Sequence, residues 1–247
     1  MRTTSHHCVL GGDIAAVIFG VDGVLVDTAQ TSATAWKAVL DPFLHSHAAV
    51  YETECRFFDT ATDYRRHMQG RTTLVGVREY LAICEIPLCY DALRGLTARH
   101  EELFLMAIRR RGVKAFASTV TVLHAVRLRG VRTAAVSANR YAAELLRRSG
   151  LAGLFDVRLD GLDAAGCHLP ASSDLGLLRE AARRMRTPPA RTAVIEENLA
   201  AVQAARRAGF GLVVGVDRGG RSLLLPEYGA DSVITDLSDL RIGEPVA

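Results

Sequence analysis

Three places in this chain of 247 residues set groups able to do chemistry at the end of an apolar run. The first is Val17-Ile18-Phe19-Gly20-Val21-Asp22-Gly23, a run that opens into a loop marked by glycine and aspartate and continues to Asp27-Thr28. Asp22 offers a carboxylate there. Gly20 offers no side chain, so covalent chemistry cannot begin at that position. The second runs from Arg132 to Asn139, an apolar stretch ending in Ser137, with a helix expected just after Asn139. The Ser137 hydroxyl and the amides of Ala138 and Asn139 at that helix start could hold an anion. Ser137 and Asn139 could equally just cap the helix, and both readings stand. The third is Val194-Ile195-Glu196-Glu197-Asn198. Its two carboxylates suit a divalent cation, or they suit a helix start, where negative charge is favoured.

These groups need a scaffold that brings strand ends together. Apolar runs at 15–19, 132–137, 155–159, 192–196, 211–216 and 232–235 read as strands. Helical patterns at 118–129, 140–148, 175–186, 199–208 and 221–228 alternate with them. That alternation predicts an α/β fold with a parallel sheet between helical layers. Ligands of such sheets bind at the carboxyl ends of the strands. Gly130, Gly150 and Gly209 each follow a helical pattern, as C-terminal glycines do. Residues 29–111 break the rhythm with consecutive helical patterns (29–44, 61–69, 73–82 and 91–110) and no convincing strand.

The run from Val17 to Thr28 resembles the first motif of the haloacid dehalogenase-like (HAD) phosphohydrolases, in which one Asp attacks phosphorus and a second, two residues on, is the general acid/base. Asp22 matches the second; Gly20 stands at the nucleophile. Ser137 matches the family's phosphate-binding Ser or Thr. The segment from Leu159-Asp160-Gly161 to Leu169-Pro170-Ala171-Ser172-Ser173-Asp174 resembles the lysine-bearing loop, with Ser172 at the lysine position. Glu196-Glu197 resembles the acidic pair that places Mg²⁺, with Glu197 for the usual Asp and Ala201 for a Gly. The implied metal set is Asp22, Glu196 and Glu197. Mg²⁺ tolerates little departure from octahedral geometry, so the altered set predicts weak binding or none.

Within the family the chain is most similar to the β-phosphoglucomutase-like proteins. Asp27-Thr28-Ala29 with Ala35-Trp36-Lys37-Ala38 matches their first cap helix, and the likeness continues through Gly76-Val77-Arg78 and Gly95-Leu96 to Asp217-Arg218 and Gly229-Ala230-Asp231. The resemblance implies a Rossmann-like core of 11–28 and 112–247, a helical cap of 29–111, and a flexible N-terminus of 1–10. It also implies substrate-facing cap positions. Ser32 stands where the mutases have a histidine, Thr73 near their phosphate-binding arginine with Arg71 close by, and His100 near a cap lysine beside Arg99. The chain further resembles the N-terminal HAD-like domain of actinobacterial trehalose-phosphate phosphatases, whose motifs are similarly eroded.

Composition narrows the partners. Hydrophobic residues at 49% and charged residues at 23% describe a globular chain. No apolar run is long enough to span a bilayer, and the N-terminus lacks the apolar stretch of a secretory signal, so a cytoplasmic location without membrane association is expected. The five cysteines are odd in number and lack a Cys-x-x-Cys pair, which argues against a zinc site or a disulfide framework. Net charge is +3, and the arginines are spread over several helices without interleaved aromatics, the pattern of solvated faces and not of a nucleic-acid surface. Only Lys37 and Lys114 are lysines, and neither suggests itself as the missing catalytic cation.

The expectation is a HAD-fold pseudoenzyme with a binding or regulatory role toward a phosphorylated small molecule or a partner protein. The alternative is a divergent hydrolase or lyase-type enzyme acting on a sugar phosphate or another small molecule, with Asp22 as general acid/base.

Overall fold

A computed structural model describes residues 8–166, 174–220 and 223–243. The chain divides into two compact units, one of residues 1–27 with 113–247, the other of residues 28–112.

The first unit opens with β1 (Cys8–Leu10), β2 (Ala16–Gly20) and the two-residue β3 (Val26–Asp27). The second unit contains α1 (Ala29–Tyr51), α2 (Thr73–Ile83) and α3 (Tyr90–Arg111), with one π turn at Tyr64–Met68. The chain then returns to the first unit through β4 (Lys114–Ala115), α4 (Ala117–Leu128), β5 (Arg132–Val136), α5 (Ala142–Arg148) and β6 (Val157–Leu159). Next come α6 (Gly161–Gly166), α7 (Asp174–Arg184), β7 (Thr192–Glu196), α8 (Leu199–Arg207) and β8 (Leu212–Val216). Last are α9 (Leu224–Glu227), β9 (Ser232–Ile234) and β10 (Leu240–Ile242).

Six strands form one parallel sheet in the order β6-β5-β2-β7-β8-β9. Every residue of β2 and β7 is buried. Strands covered on both faces are largely apolar, which is why β2 and the middle of β7 (Ala193-Val194-Ile195) are apolar runs. Ile18, Val194 and Val213 from the sheet pack with Leu178, Ala181 and Val202 from the helices in one core. The helical unit has its own core around Trp36, Leu40, Phe58, Tyr80 and Leu81. Two small sheets complete the first unit: β1 pairs with β10, and β3 with β4.

Two features differ from the sequence expectation. Cys8, Val9 and Leu10, expected in a flexible terminus, form β1 by pairing with Leu240, Arg241 and Ile242, a contact 232 residues distant that local pattern does not reveal. The first helix, expected to end at residue 44, runs through Pro42 to Tyr51. Among the described residues no helix is long and apolar enough to cross a membrane.

Candidate functional site

Parallel register gathers the chemistry-bearing residues at one end of the sheet. Gly20 lies beside Val136, one residue before Ser137, and Phe19 lies beside Ile195, one residue before Glu196. Asp22 follows in a tight turn, closed by the Gly23 amide donating to Val26 O (3.0 Å) and the Leu25 amide donating to Val21 O (3.0 Å). Gly23 has a φ of 74°, a left-handed conformation that glycine adopts without steric cost.

Gly20 is a different case. Its backbone needs no glycine, yet a Cβ built on it would stand 2.6 Å from both Cδ and Oε1 of Glu196 and 2.7 Å from Oε2. The Glu196 carboxyl therefore fills the space into which any larger residue 20 would project. Glu196 is held there, because its Oε2 accepts the amides of Glu197 (2.9 Å) and Asn198 (3.2 Å). Burial pushes the Glu196 carboxyl up to about 8, nearby Asp174 and Glu197 push the same way, and the two amides oppose them. At neutral pH it is mostly a neutral acid. Asp174, at the start of α7, is itself raised to about 6 by burial. Glu197 turns the other way, and a Cβ on Gly23 would overlap its Oε2.

Ser137 and Asn139 spend their side chains locally. Ser137 Oγ donates to Asp22 Oδ2 at 3.5 Å and accepts the Asn139 amide at 3.0 Å; Asn139 Oδ1 accepts the Tyr141 amide at 2.8 Å. Both are turn bonds: α5 begins only at Ala142, with Tyr141 before it and no side-chain cap, so neither Ser137 nor Asn139 caps the helix. The exposed Ala138 carries the loop between them, and a Cβ on Gly161 would stand 2.6 Å from Ala138 O. Gly161 thus lets β6 approach the loop closely, a role that only the folded contact reveals.

Sequence reading also missed the cation nearest the Gly23 turn. Arg218, just beyond β8, donates from Nε to Gly23 O (2.8 Å) and from Nη2 to Asp236 Oδ2 (3.2 Å). Its guanidinium lies 3.5 Å over the centre of the Phe116 ring. Ser172 lies outside the described residues. Among those described, no group of three or more His, Cys, Asp or Glu side chains is placed to hold a metal ion. Of the implied set Asp22, Glu196 and Glu197, the Glu196 carboxyl lies against Gly20 and the Glu197 carboxyl against Gly23, the glycine that follows Asp22.

Four of the residues expected to face substrate in the helical unit have side-chain partners within it, and only Ser32 and His100 partner each other. His100 is 3% exposed, a core residue and not a surface group. Its ring stacks on Trp36 at 4.2 Å, and Nε2 lies 3.1 Å from Ser32 Oγ. Burial pushes its pKa down to about 4, against a raising contribution from the Ser32 carbonyl. Arg71 pairs with Glu79 at 2.8 Å and Arg99 with Glu102 at 2.9 Å. Thr73 is the first residue of α2.

A family model described as haloacid dehalogenase-like hydrolase matches residues 14–209. A β-phosphoglucomutase of Mycobacterium bovis is 31% identical over 239 residues, which cover 92% of this chain and 91% of that protein. A trehalose-phosphate phosphatase of Mycobacterium leprae is 38% identical over 127 residues, 50% of this chain and 28% of that one. Among solved structures, a HAD family hydrolase from Deinococcus radiodurans with bound phosphate and sodium aligns with a TM-score of 0.67 and 25% identity, over 93% of this chain and 94% of its own. With the parallel sheet and its gathered strand ends, these matches establish that the chain belongs to the haloacid dehalogenase-like hydrolase family and is β-phosphoglucomutase-like within it.

Proposed function

We propose that this chain keeps the scaffold of its phosphatase and phosphomutase relatives but does not transfer phosphate through an enzyme aspartate. Its role is to bind, in the cytoplasm, either a phosphorylated sugar or a partner protein. The ligand class comes from the relatives: one is named for phosphoglucomutase activity, and a structural neighbour holds phosphate.

One observation carries this reading: the Glu196 carboxyl occupies the space beside Gly20. In the family an aspartate at residue 20 would attack phosphorus. Here the carboxyl at that point belongs to a buried side chain that is mostly protonated at neutral pH and bonded through Oε2 to two amides. A protonated acid is a poor nucleophile. Asp22, the remaining acid/base, shares a hydrogen bond with Ser137. Losing one member of a catalytic unit costs on the order of a millionfold in turnover in a well-studied protease, and this site lacks at least one.

Mg²⁺, which the family implies, does not fit the residues present. Gly20 supplies no carboxylate, Glu196 is mostly uncharged and turned inward, and no three ligands converge among the described residues. Nor does Arg218 offer a spare positive charge, since Asp236 and the Phe116 ring engage it.

The test is turnover of a panel of sugar phosphates by the natural chain, by Asp22→Asn, and by Gly20→Asp combined with Glu196→Ala and Ser172→Lys. Background rates for the natural chain and Asp22→Asn support the proposal. Robust turnover by the natural chain that Asp22→Asn abolishes would overturn it in favour of an enzyme in which Asp22 activates water directly.

A further inference from the structure

In the helical unit, α1 ends at Tyr51 with a reversal of the chain. Glu52 takes a left-handed conformation (φ 53°), and the Thr53 amide donates to Ala48 O at 3.1 Å. The chain then returns along α1 to the buried Phe58. The Phe58 amide donates to Asp41 Oδ1 at 2.9 Å, and its carbonyl accepts Lys37 Nζ at 2.9 Å. Lys37, Asp41 and His45 recur every four residues and so share one stripe of α1. The returning segment is thus fastened at both ends. Between the fastenings Cys55 lies over His45, its Sγ 3.9 Å from Nδ1. The two residues are ten apart and form no sequence motif, so only the folded contact reveals the pair.

A thiol and an imidazole are the donors that soft metal ions prefer. As a hydrogen bond their contact is long, and a thiol is a weak donor. As a pair of ligands it is well spaced. Bonds of about 2.3 Å to sulfur and about 2.0 Å to nitrogen, the lengths found in zinc sites, together reach about 4.3 Å. One ion can therefore bridge the two atoms with both side chains where they stand. The number of donors then selects the ion. Among the described residues no third His, Cys, Asp or Glu side chain joins the pair as a ligand. Zinc seeks a tetrahedral shell of ligands, and Mg²⁺ and Ca²⁺ seek a full shell of oxygens. Cu(I) is content with two donors, and thiolate sulfur selects it.

We propose that Cys55 and His45 form a two-donor site for Cu(I). On binding, the Cys55 thiol gives its proton to water, its sulfur forms the bond to copper, and neutral His45 donates through Nδ1. No electron is transferred, and the copper remains Cu(I). The inference is independent of whether the strand-end site binds a sugar phosphate.

The test is anaerobic titration of the full chain with Cu(I) in competition with the chelator bathocuproine disulfonate, with copper X-ray absorption to identify the donors. One equivalent should bind, with one sulfur and one ring nitrogen at the metal. Cys55→Ser and His45→Gln, both at exposed positions, should each weaken that binding about a hundredfold or more, since even the outer partners of metal ligands are worth about 10–100-fold. The His45 ring signals should shift on titration of the natural chain and stay in place in Cys55→Ser. Uptake that neither change weakens, a copper shell of sulfur alone, or no uptake against the chelator would each overturn the proposal. One ion per two chains would overturn it too and assign Cys55 to a contact between copies of this chain.

Discussion

Gly20 and Glu196 are interlocked: the glycine leaves the space that the glutamate carboxyl fills, at 2.6 Å from where a Cβ would be. Glu196 cannot retreat without giving up the Glu197 and Asn198 amides. Gly20→Ala should therefore destabilise the chain by about 1–3 kcal/mol, the usual cost of overpacking. In a Glu196→Ala background the same change should be neutral or stabilising, because the clash is gone and alanine is better than glycine inside a strand. Urea unfolding of the four proteins in a double-mutant cycle measures the coupling. Equal effects of Gly20→Ala in both backgrounds would show that the two residues are not interlocked.

The protonation of Glu196 has its own signature. Its folded pKa of about 8 lies above the ordinary 4.5, so between these values the folded state holds a proton that the unfolded chain releases. Stability from this group is complete below about 4.5 and is lost as pH rises toward 8. Glu196→Gln keeps a neutral group of the same shape and removes the titration. The natural chain should therefore lose stability relative to Glu196→Gln across that interval, measured as the difference between two denaturation series. A difference that stays constant with pH would mean that Glu196 is ionised throughout.

Much of this architecture is legible in sequence because strands buried on both faces leave apolar runs, as at Ala16–Gly20, in the middle of Thr192–Glu196 and at Leu212–Val216. The short strands at Cys8–Leu10 and Leu240–Ile242 are not, since three residues carry no period and their pairing spans almost the whole chain. The missing side chain at Gly20 is equally plain in sequence. What fills its place is not, because spacing gives a carboxylate's position along the chain but not the direction it turns. His100 shows the same limit: the resemblance sets it beside Arg99 as a substrate-facing position, whereas the helix phase carries Arg99 outward and His100 onto Trp36.

Mg²⁺ should bind weakly or not at all at physiological concentration. A carboxyl that stays protonated at neutral pH must release its proton before it can ligate a metal, and Glu196 would also have to leave its two amides. Raising the pH above 8 should therefore improve any residual affinity. Isothermal titration at two pH values tests this. Tight, stoichiometric binding at pH 7 that Glu197→Ala abolishes would show that the acidic pair still works as a metal site.

His100 gives the helical unit an acid-side weakness with the opposite sign. Its folded pKa of about 4 lies below the ordinary 6.5, with burial as the main cause. Between those values the unfolded chain binds a proton that the folded state refuses. The contribution to stability is complete above about 6.5 and is lost as pH falls toward 4. The ring lies between Trp36 at 4.2 Å and Phe104 at 6.0 Å, so His100→Phe keeps an aromatic layer without a titrating group. It forfeits the contact with Ser32, a cost that does not change with pH. The natural chain should thus be the more stable of the two near neutrality and lose that advantage as acid is added. Thermal unfolding of both proteins between pH 4 and 7 measures the crossing, and parallel curves would place the His100 ring in a wetter site than the one between Trp36 and Phe104.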